Sequence, residues 1–243
     1  YNNVARDFDD MCYNFPYYLP VRAAGNDRAQ NENYRPDEGG DYFINGSTSA
    51  IFYASYGPYA DNWDEGGYDT MLPGACAKNV LTVGAVDDAV TGGMRDLAQA
   101  TMSSLSAWGP TDDGRVKPDL VTNGIRVYSC TSSGDTAYST ASGTSLAAPA
   151  AAGAGVQLLD FYGQLFTGQT MRSSTLKALM IHTADDLGNA GPDYQYGWGL
   201  INVEAAAKKI LLHQRNPADL NMVVDSLTYS NNPNKRDVND DFI

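Results

Sequence analysis

Two short segments carry residue types that could do chemistry. The first is Ser142-Gly143-Thr144-Ser145-Leu146-Ala147-Ala148-Pro149. A serine there would stand at the N-terminus of an Ala/Gly-rich helix, its hydroxyl surrounded by free N–H groups and the positive end of the helix dipole. Small residues behind it would let that helix pack closely, and Pro149 is expected in its first turn, where no N–H is needed. The plainer reading is a serine N-cap on a buried helix. The second segment is Ala23-Ala24-Gly25-Asn26. An Asn just beyond a strand can donate its amide N–H to a developing oxyanion, beside the N–H of a nucleophilic serine; the plainer reading is a turn Asn. A general base is harder to find. His182 falls inside a helical stretch and His213 near the exit of the domain, so both read as structural or surface histidines. A serine hydroxyl without a base is a poor nucleophile near neutral pH. A G-x-S-x-G nucleophile elbow does not fit, because position 147 is Ala.

Both segments need elements to hold them. Residues 1–17 are compatible with a helix feeding a strand. Residues 18–24 form a short apolar run that stops at Gly25-Asn26-Asp27, as a buried strand ending in a turn would. Residues 79–86 (NVLTVGAV) are continuous and β-branched, which predicts a buried parallel strand. Residues 118–129 read as two short strands broken at Asn123-Gly124. A helix of small side chains follows from Thr144 to about 162. Ser173 or Ser174 caps a second helix, and 201–212 reads as a third, amphipathic one. Strands alternating with helices predict an α/β fold on a parallel sheet.

Composition excludes several classes. The chain has 243 residues, with 16 Lys+Arg against 29 Asp+Glu and a net charge of −13. A nucleic-acid binder normally shows the opposite balance. No apolar run reaches the roughly 20 residues of a membrane span. Cys12, Cys76 and Cys130 are far apart, without a C-x-x-C pair, and allow at most one internal disulfide; a structural zinc site has no support. Residues 27–72 are rich in Gly, Tyr, Asp and Asn and read as a long surface excursion. Its carboxylates Asp37, Glu38, Asp41, Asp61, Asp64, Glu65 and Asp69 could bind calcium or form a solvated acidic loop. Its tyrosines (Tyr34, Tyr42, Tyr53, Tyr56, Tyr59, Tyr68) could line a cleft or pack the excursion onto the domain, and Asn45-Gly46-Ser47 fits a glycosylation acceptor. Residues 216–243 are polar and read as a linker or the start of another module. The chain opens without Met and reads as a piece of a longer protein.

In order along the chain, these motifs resemble the C-terminal half of a subtilisin-like serine protease domain (subtilase, peptidase S8 family). Residues 142–149 resemble the nucleophile motif G-T-S-M-A-x-P, with Leu146 in place of Met, and residues 23–26 resemble the oxyanion segment A-A-G-N. Residues 72–85 resemble P-G-x-A-x-N-x-I-x-V-G-A, and residues 106–110 resemble S-S-x-G-P. Asp113-Gly114-Arg115-Val116-Lys117-Pro118-Asp119 matches D-G-R-x-K-P-D, and Gly197-Trp198-Gly199-Leu200-Ile201-Asn202 resembles G-x-G-x-x-N. Val121-Thr122-Asn123-Gly124 departs from the usual A-P-G.

The resemblance implies a three-layer parallel-sheet fold with its N-terminal part missing and a peptidase unit over 1–215. It implies Ser145 as nucleophile, with its own N–H and the Asn26 side chain holding the oxyanion. Ala23, Ala24 and Gly25, with Thr144, would bind the substrate beside the cleaved bond. The family's D-[ST]-G and H-G-T segments, which supply Asp and His, have no counterpart here; Asp9-Asp10-Met11 and Asp69-Thr70-Met71 do not fit. They are expected upstream, and the chain alone is expected to be inactive and poorly soluble or molten. Protein or peptide substrates, secretion, no required cofactor and calcium as a structural ion follow by the same resemblance. The alternative is a non-catalytic, subtilase-like binding or structural protein.

Overall fold

A computed structural model describes residues 1–26, 28 and 67–216. Most of the acidic and tyrosine-rich excursion, the glycosylation motif and the tail from residue 217 lie outside the described residues. The elements run α1 (Asn3–Asn14), β1 (Val21–Ala23), β2 (Leu81–Val86), β3 (Val90–Thr91), β4 (Met94–Arg95), β5 (Leu120–Asn123), β6 (Val127–Cys130), β7 (Tyr138–Ala141), α2 (Thr144–Leu165), α3 (Ser173–His182) and α4 (Val203–Arg215). Short 3₁₀ turns at Pro73–Cys76 and Leu97–Gln99 complete the list.

Three strands form a parallel sheet in the order β1-β2-β5, with Ala23 opposite Val83 and Val83 opposite Leu120. The central strand is buried at every residue, as a parallel strand covered on both faces must be. β1 is only half-buried, contrary to the buried strand expected there, because it has one neighbour and its outer edge has no partner among the described residues. Two antiparallel ribbons, β3-β4 and β6-β7, stand apart from the sheet.

The helix α2 lies across the sheet and organises the core. Ala147, Ala151, Leu158 and Tyr162 pack with Leu81, Val83, Ala85 and Leu120 from the strands and with Leu176, Met180, Ala206 and Ile210 from α3 and α4. Small residues at 147–155 bring the helix close to the sheet, which is why so little side-chain volume suffices there. On the outward face Pro149, Ala150 and Gly153 are exposed, and Val156 is 66% exposed.

Three local expectations need correction. Pro149 sits inside α2, six residues in, beyond the first turn; it supplies no N–H to the Ser145 carbonyl. Arg172 occupies the cap position of α3 without a side-chain cap, and Ser173 and Ser174 are already helical. α4 starts two residues later than expected, at Val203, because the Asn202 side chain accepts from the Ala205 N–H at 2.9 Å and fixes the start there.

Candidate active site

The two segments singled out in the sequence, 119 residues apart, meet at the C-terminal ends of the parallel strands. β1 leads through Ala24 and Gly25 to Asn26, and β7 leads through Ser142 and Gly143 into α2. The contact is polar. Asn26 Oδ1 accepts from the Thr144 N–H at 2.8 Å and from the Thr144 hydroxyl at 2.9 Å. The Gly25 N–H donates to the same hydroxyl at 3.2 Å. Thr144 is fully buried, so the bond from the Gly25 N–H is shielded from water, while the two to Asn26 Oδ1 are partly buried.

The bonds settle which way the amide faces. A backbone N–H can bond only the oxygen of Asn26, so its Nδ2 must point away from Thr144. Nδ2 has no hydrogen-bond partner among the described residues, and Asn26 is exposed. The Ser145 side chain is exposed beside it. A methyl group placed on Gly143 would sit 3.2 Å from Ser145 Oγ and 3.5 Å from Asn26 Nδ2. A bare backbone at 143 thus leaves open the space shared by the hydroxyl and the amide. Ser145 is the second residue of α2, and no N–H so early in a helix has an intrahelical acceptor. One small region therefore holds a hydroxyl, a free amide N–H, an unpaired backbone N–H and the positive end of a 22-residue helix.

Gly25 serves the same region from below. Its φ is +132°, and an added Cβ would come within 3.1 Å of Leu72 and 3.2 Å of Ala107. Ala24 is buried against Ala75, Cys76 and Ala107, and Ala23 packs against the main core. The segment is thus held by tight backbone fit on one side and by Thr144 on the other. Tyr68, from the end of the excursion, rests on Trp108 with ring centres 5.2 Å apart and accepts from Gln195 Nε2 at 2.9 Å. This one tyrosine packs onto the domain.

Neither histidine joins the site. His182 is the exposed last residue of α3. His213 packs at a tilt against Phe166, 5.6 Å between ring centres, at the far end of α2. Some 21 residues of helix separate that end from Ser145, about 30 Å. No acid or base contacts Ser145 among the described residues. All three cysteines are free, Cys12 and Cys76 buried and Cys130 exposed. Among the described residues no group of three or more His, Cys, Asp or Glu side chains could hold a metal ion.

At the opposite end of the strands lies a cluster that reading by motif did not reveal. Lys117 Nζ is 2.7 Å from Asp119 Oδ2, and Lys177 Nζ is 3.1 Å from Asp119 Oδ1. All three residues are buried. The remaining bonds go to backbone and hydroxyl. Lys117 donates to the Val80 carbonyl and Thr82 Oγ1, Lys177 to the Lys78 and Val80 carbonyls, and the Thr82 N–H to Asp119. Burial pushes the Lys117 ammonium down to about 8, against the pull of Asp119. Burial alone would raise Asp119, but the two ammonium groups hold its carboxyl below the ordinary value. Lys117 and Asp119 belong to the D-G-R-x-K-P-D motif, so the cluster explains why that motif places a cation and an anion two residues apart.

A sequence model described as Peptidase_S8, Subtilase family, matches residues 5–199. Among curated proteins, the chain is 31% identical over 147 residues to "Serine protease AprX" of Bacillus subtilis, covering 56% of this chain and 31% of that protein. It is 33% identical over 130 residues to "Subtilisin DY" of Bacillus licheniformis, covering 54% of this chain and 38% of that one. It is 26% identical over 274 residues to "Serine protease/ABC transporter B family protein tagD" of Dictyostelium discoideum, covering 84% of this chain and 15% of that protein. The chain thus spans between 15% and 38% of the length of these relatives. Among solved structures, the CspB protease of Clostridium perfringens matches with a TM-score of 0.50 at 23% identity, over 59% of this chain and 29% of that one, a likeness of fold. No helix among the described residues is long and apolar enough to cross a membrane. With the family's model matching most of its length, this chain belongs to the subtilase family of serine peptidases.

Proposed function

We propose that this chain is the nucleophile-bearing part of a serine endopeptidase that cleaves peptide bonds through an acyl-enzyme on Ser145. The observation that carries the reading is the amide of Asn26: its oxygen is tied to Thr144 and its N–H is left free beside the Ser145 hydroxyl. In the proposed reaction Ser145 Oγ attacks the scissile carbonyl. The oxygen of that carbonyl gains negative charge and receives N–H bonds from Asn26 Nδ2 and the Ser145 backbone, backed by the α2 dipole. Thr144 holds the amide in that orientation, and Ala23, Ala24 and Gly25 line the position of the residue before the cleaved bond. No cofactor takes part; calcium remains an expectation for residues 27–72 as a structural ion.

The proton of Ser145 needs a base, and an acid must orient that base. We assign both to polypeptide outside these 243 residues, upstream in the same protein. Two features support this. The outer edge of β1 has no partner among the described residues, and the outward face of α2 beside Ser145 is apolar and exposed. Residues 1–215 then form the C-terminal part of the peptidase unit and 216–243 a linker or the start of another module. Protein or peptide substrates outside the cell fit this reading, and no nucleic acid does, given the net charge of −13.

The upstream coding sequence tests the proposal. A D-[ST]-G segment followed by H-G-T gives Ser145 its partners. Replacement of that Asp or His leaves the fold and removes the peptidase reading, in favour of a non-catalytic binding protein. The isolated chain is expected to leave casein intact. Casein turnover by it that disappears in Ser145→Ala contradicts the assignment of the base to another segment.

A further inference from the structure

Where A-P-G is usual, β5 ends on two polar residues, Thr122 and Asn123, ahead of Gly124. Side chains alternate along the strand. Leu120 packs with Ala147 of α2, Val121 packs on the opposite face with Leu200, and Thr122 turns back towards α2. Thr122 is only 3% exposed, so its hydroxyl must find a partner inside. It donates to the Ala147 carbonyl at 2.9 Å, at the end of the first turn of the nucleophile helix. The Asn123 carbonyl, at 3.4 Å, is the weaker neighbour. A carbonyl has two lone pairs, so the hydroxyl adds a bond to the helix without displacing the N–H of residue 151.

A buried hydroxyl with a partner is ordinary, but this one meets the helix where it is weakest. Pro149 has no N–H, so the Ser145 carbonyl lacks the donor that would tie the nucleophile to the next turn, and the proline ring crowds that carbonyl. The placement of Ser145 then rests more on bonds from outside the helix, and the end of β5 supplies them. The Gly143 N–H donates to the Gly124 carbonyl at 2.8 Å, and the Gly124 N–H to the Val86 carbonyl of the central strand at 3.1 Å. Asn123 Oδ1 accepts from the Ile125 N–H at 3.0 Å, which holds the turn at Gly124 without the stiffness of a proline. Gly124 has to be bare. A Cβ added to it would lie 2.7 Å from Ala85 Cβ, 2.8 Å from the Gly143 carbonyl oxygen and 3.1 Å from Ala147 Cβ. The strand end thus holds the helix start at Gly143, two residues before Ser145, and at Ala147, two residues after it.

We propose that Thr122 is a positioning residue for the nucleophile: its hydroxyl, through the Ala147 carbonyl, fixes the proline-weakened first turn of α2 so that Ser145 stays aligned with Asn26. This rests on the peptidase reading above. The Thr122 hydroxyl bonds neither Ser145 nor Asn26, so its effect falls on the rate of attack and not on substrate binding. Misplacing a reacting group by about 1 Å can cost on the order of 10²-fold in rate, and loss of one supporting bond should cost less.

The test uses the intact protein that contains this chain, with a peptide anilide as substrate. Thr122→Ser and Thr122→Ala both lack the methyl group and differ only in the hydroxyl. Thr122→Val keeps the branched shape and lacks the hydroxyl. In the alanine and valine variants kcat is expected to fall roughly tenfold with KM nearly unchanged, and labelling of Ser145 by a fluorophosphonate to slow by a similar factor. Thr122→Ser is expected to keep both rates, even where its melting temperature falls for want of the methyl. A merely structural threonine gives another order: serine and alanine behave alike, valine is the quietest, and kcat per folded molecule is unchanged in all three. That order, or a loss that sits in KM, overturns the proposal and leaves the peptidase reading intact. Should the valine variant fail to fold, the serine and alanine pair decides by the same criterion. Anilide turnover that is absent from the unaltered protein, or that persists in Ser145→Ala, overturns both.

Discussion

The two ends of the β1-β2-β5 sheet treat polar groups in opposite ways. At the N-terminal end, Lys117, Asp119 and Lys177 are buried, and every charge has partners within 3.2 Å. At the C-terminal end, Ser145 and Asn26 are exposed, and one amide N–H is left without a partner. Burial and saturation make the first end a fixed support. Incomplete satisfaction, with the amide already oriented, is what the proposed oxyanion role of the second end requires. Substitutions at the first end should therefore reduce stability, and those at the second should reduce rate.

The largest expected effect is at the C-terminal end. If the whole protein is the peptidase proposed above, Ser145→Ala in it should lower kcat by on the order of 10⁶-fold, the loss established for subtilisin, with no change in melting temperature. Asn26→Ala should lower kcat by roughly 10²–10³-fold with KM nearly unchanged, the range established for the corresponding subtilisin amide. Steady-state kinetics on a peptide anilide read both. An equal loss in kcat and stability would erase the contrast.

At the support end, Asp119→Ala leaves two buried ammonium groups uncompensated. It should cost about 3–5 kcal/mol in urea unfolding, while the folded fraction keeps its kcat. A pH effect sharpens this. Lys117 is pushed down to about 8 by burial, against 10.5 in the unfolded chain. Between these values the unfolded state binds more protons than the folded state, so stability should rise with pH across that window. Below about pH 8 both states are charged, and the penalty for burying the ammonium is present in full. Lys117→Met should flatten the rise, which urea midpoints at pH 7.5 and 10 would detect.

The smallest effect concerns the link between amide and helix. Thr144→Val removes the hydroxyl that joins Gly25 to Asn26 but keeps the backbone N–H bond. A loss of about 1–2 kcal/mol in stability is expected, with a fall in kcat well short of that for Asn26→Ala. Thr144→Ser should restore both.

Much of the C-terminal end was legible in the sequence because its parts are local. Asn26 closely follows a short apolar strand, and Ser145 stands two residues after Gly143 and two before the alanines that begin at Ala147. The support end was not legible, since Lys177 reaches Asp119 across 58 residues and only the fold brings them together. The ribbon partner β7 was missed for a related reason. Its residues Tyr138-Ser139-Thr140-Ala141 are all exposed, so burial leaves no hydrophobic alternation to read. The helix start expected at Thr144 is the observed one, but counted from it Pro149 is the sixth helical residue, past the first turn in which a proline needs no N–H.

Labelling of the intact protein by a fluorophosphonate, which reacts only with an activated serine, tests the central claim most directly. The account predicts a single adduct on Ser145, absent in Ser145→Ala and formed far more slowly in Asn26→Ala. An adduct on another serine, or peptide cleavage that survives Ser145→Ala, would contradict it.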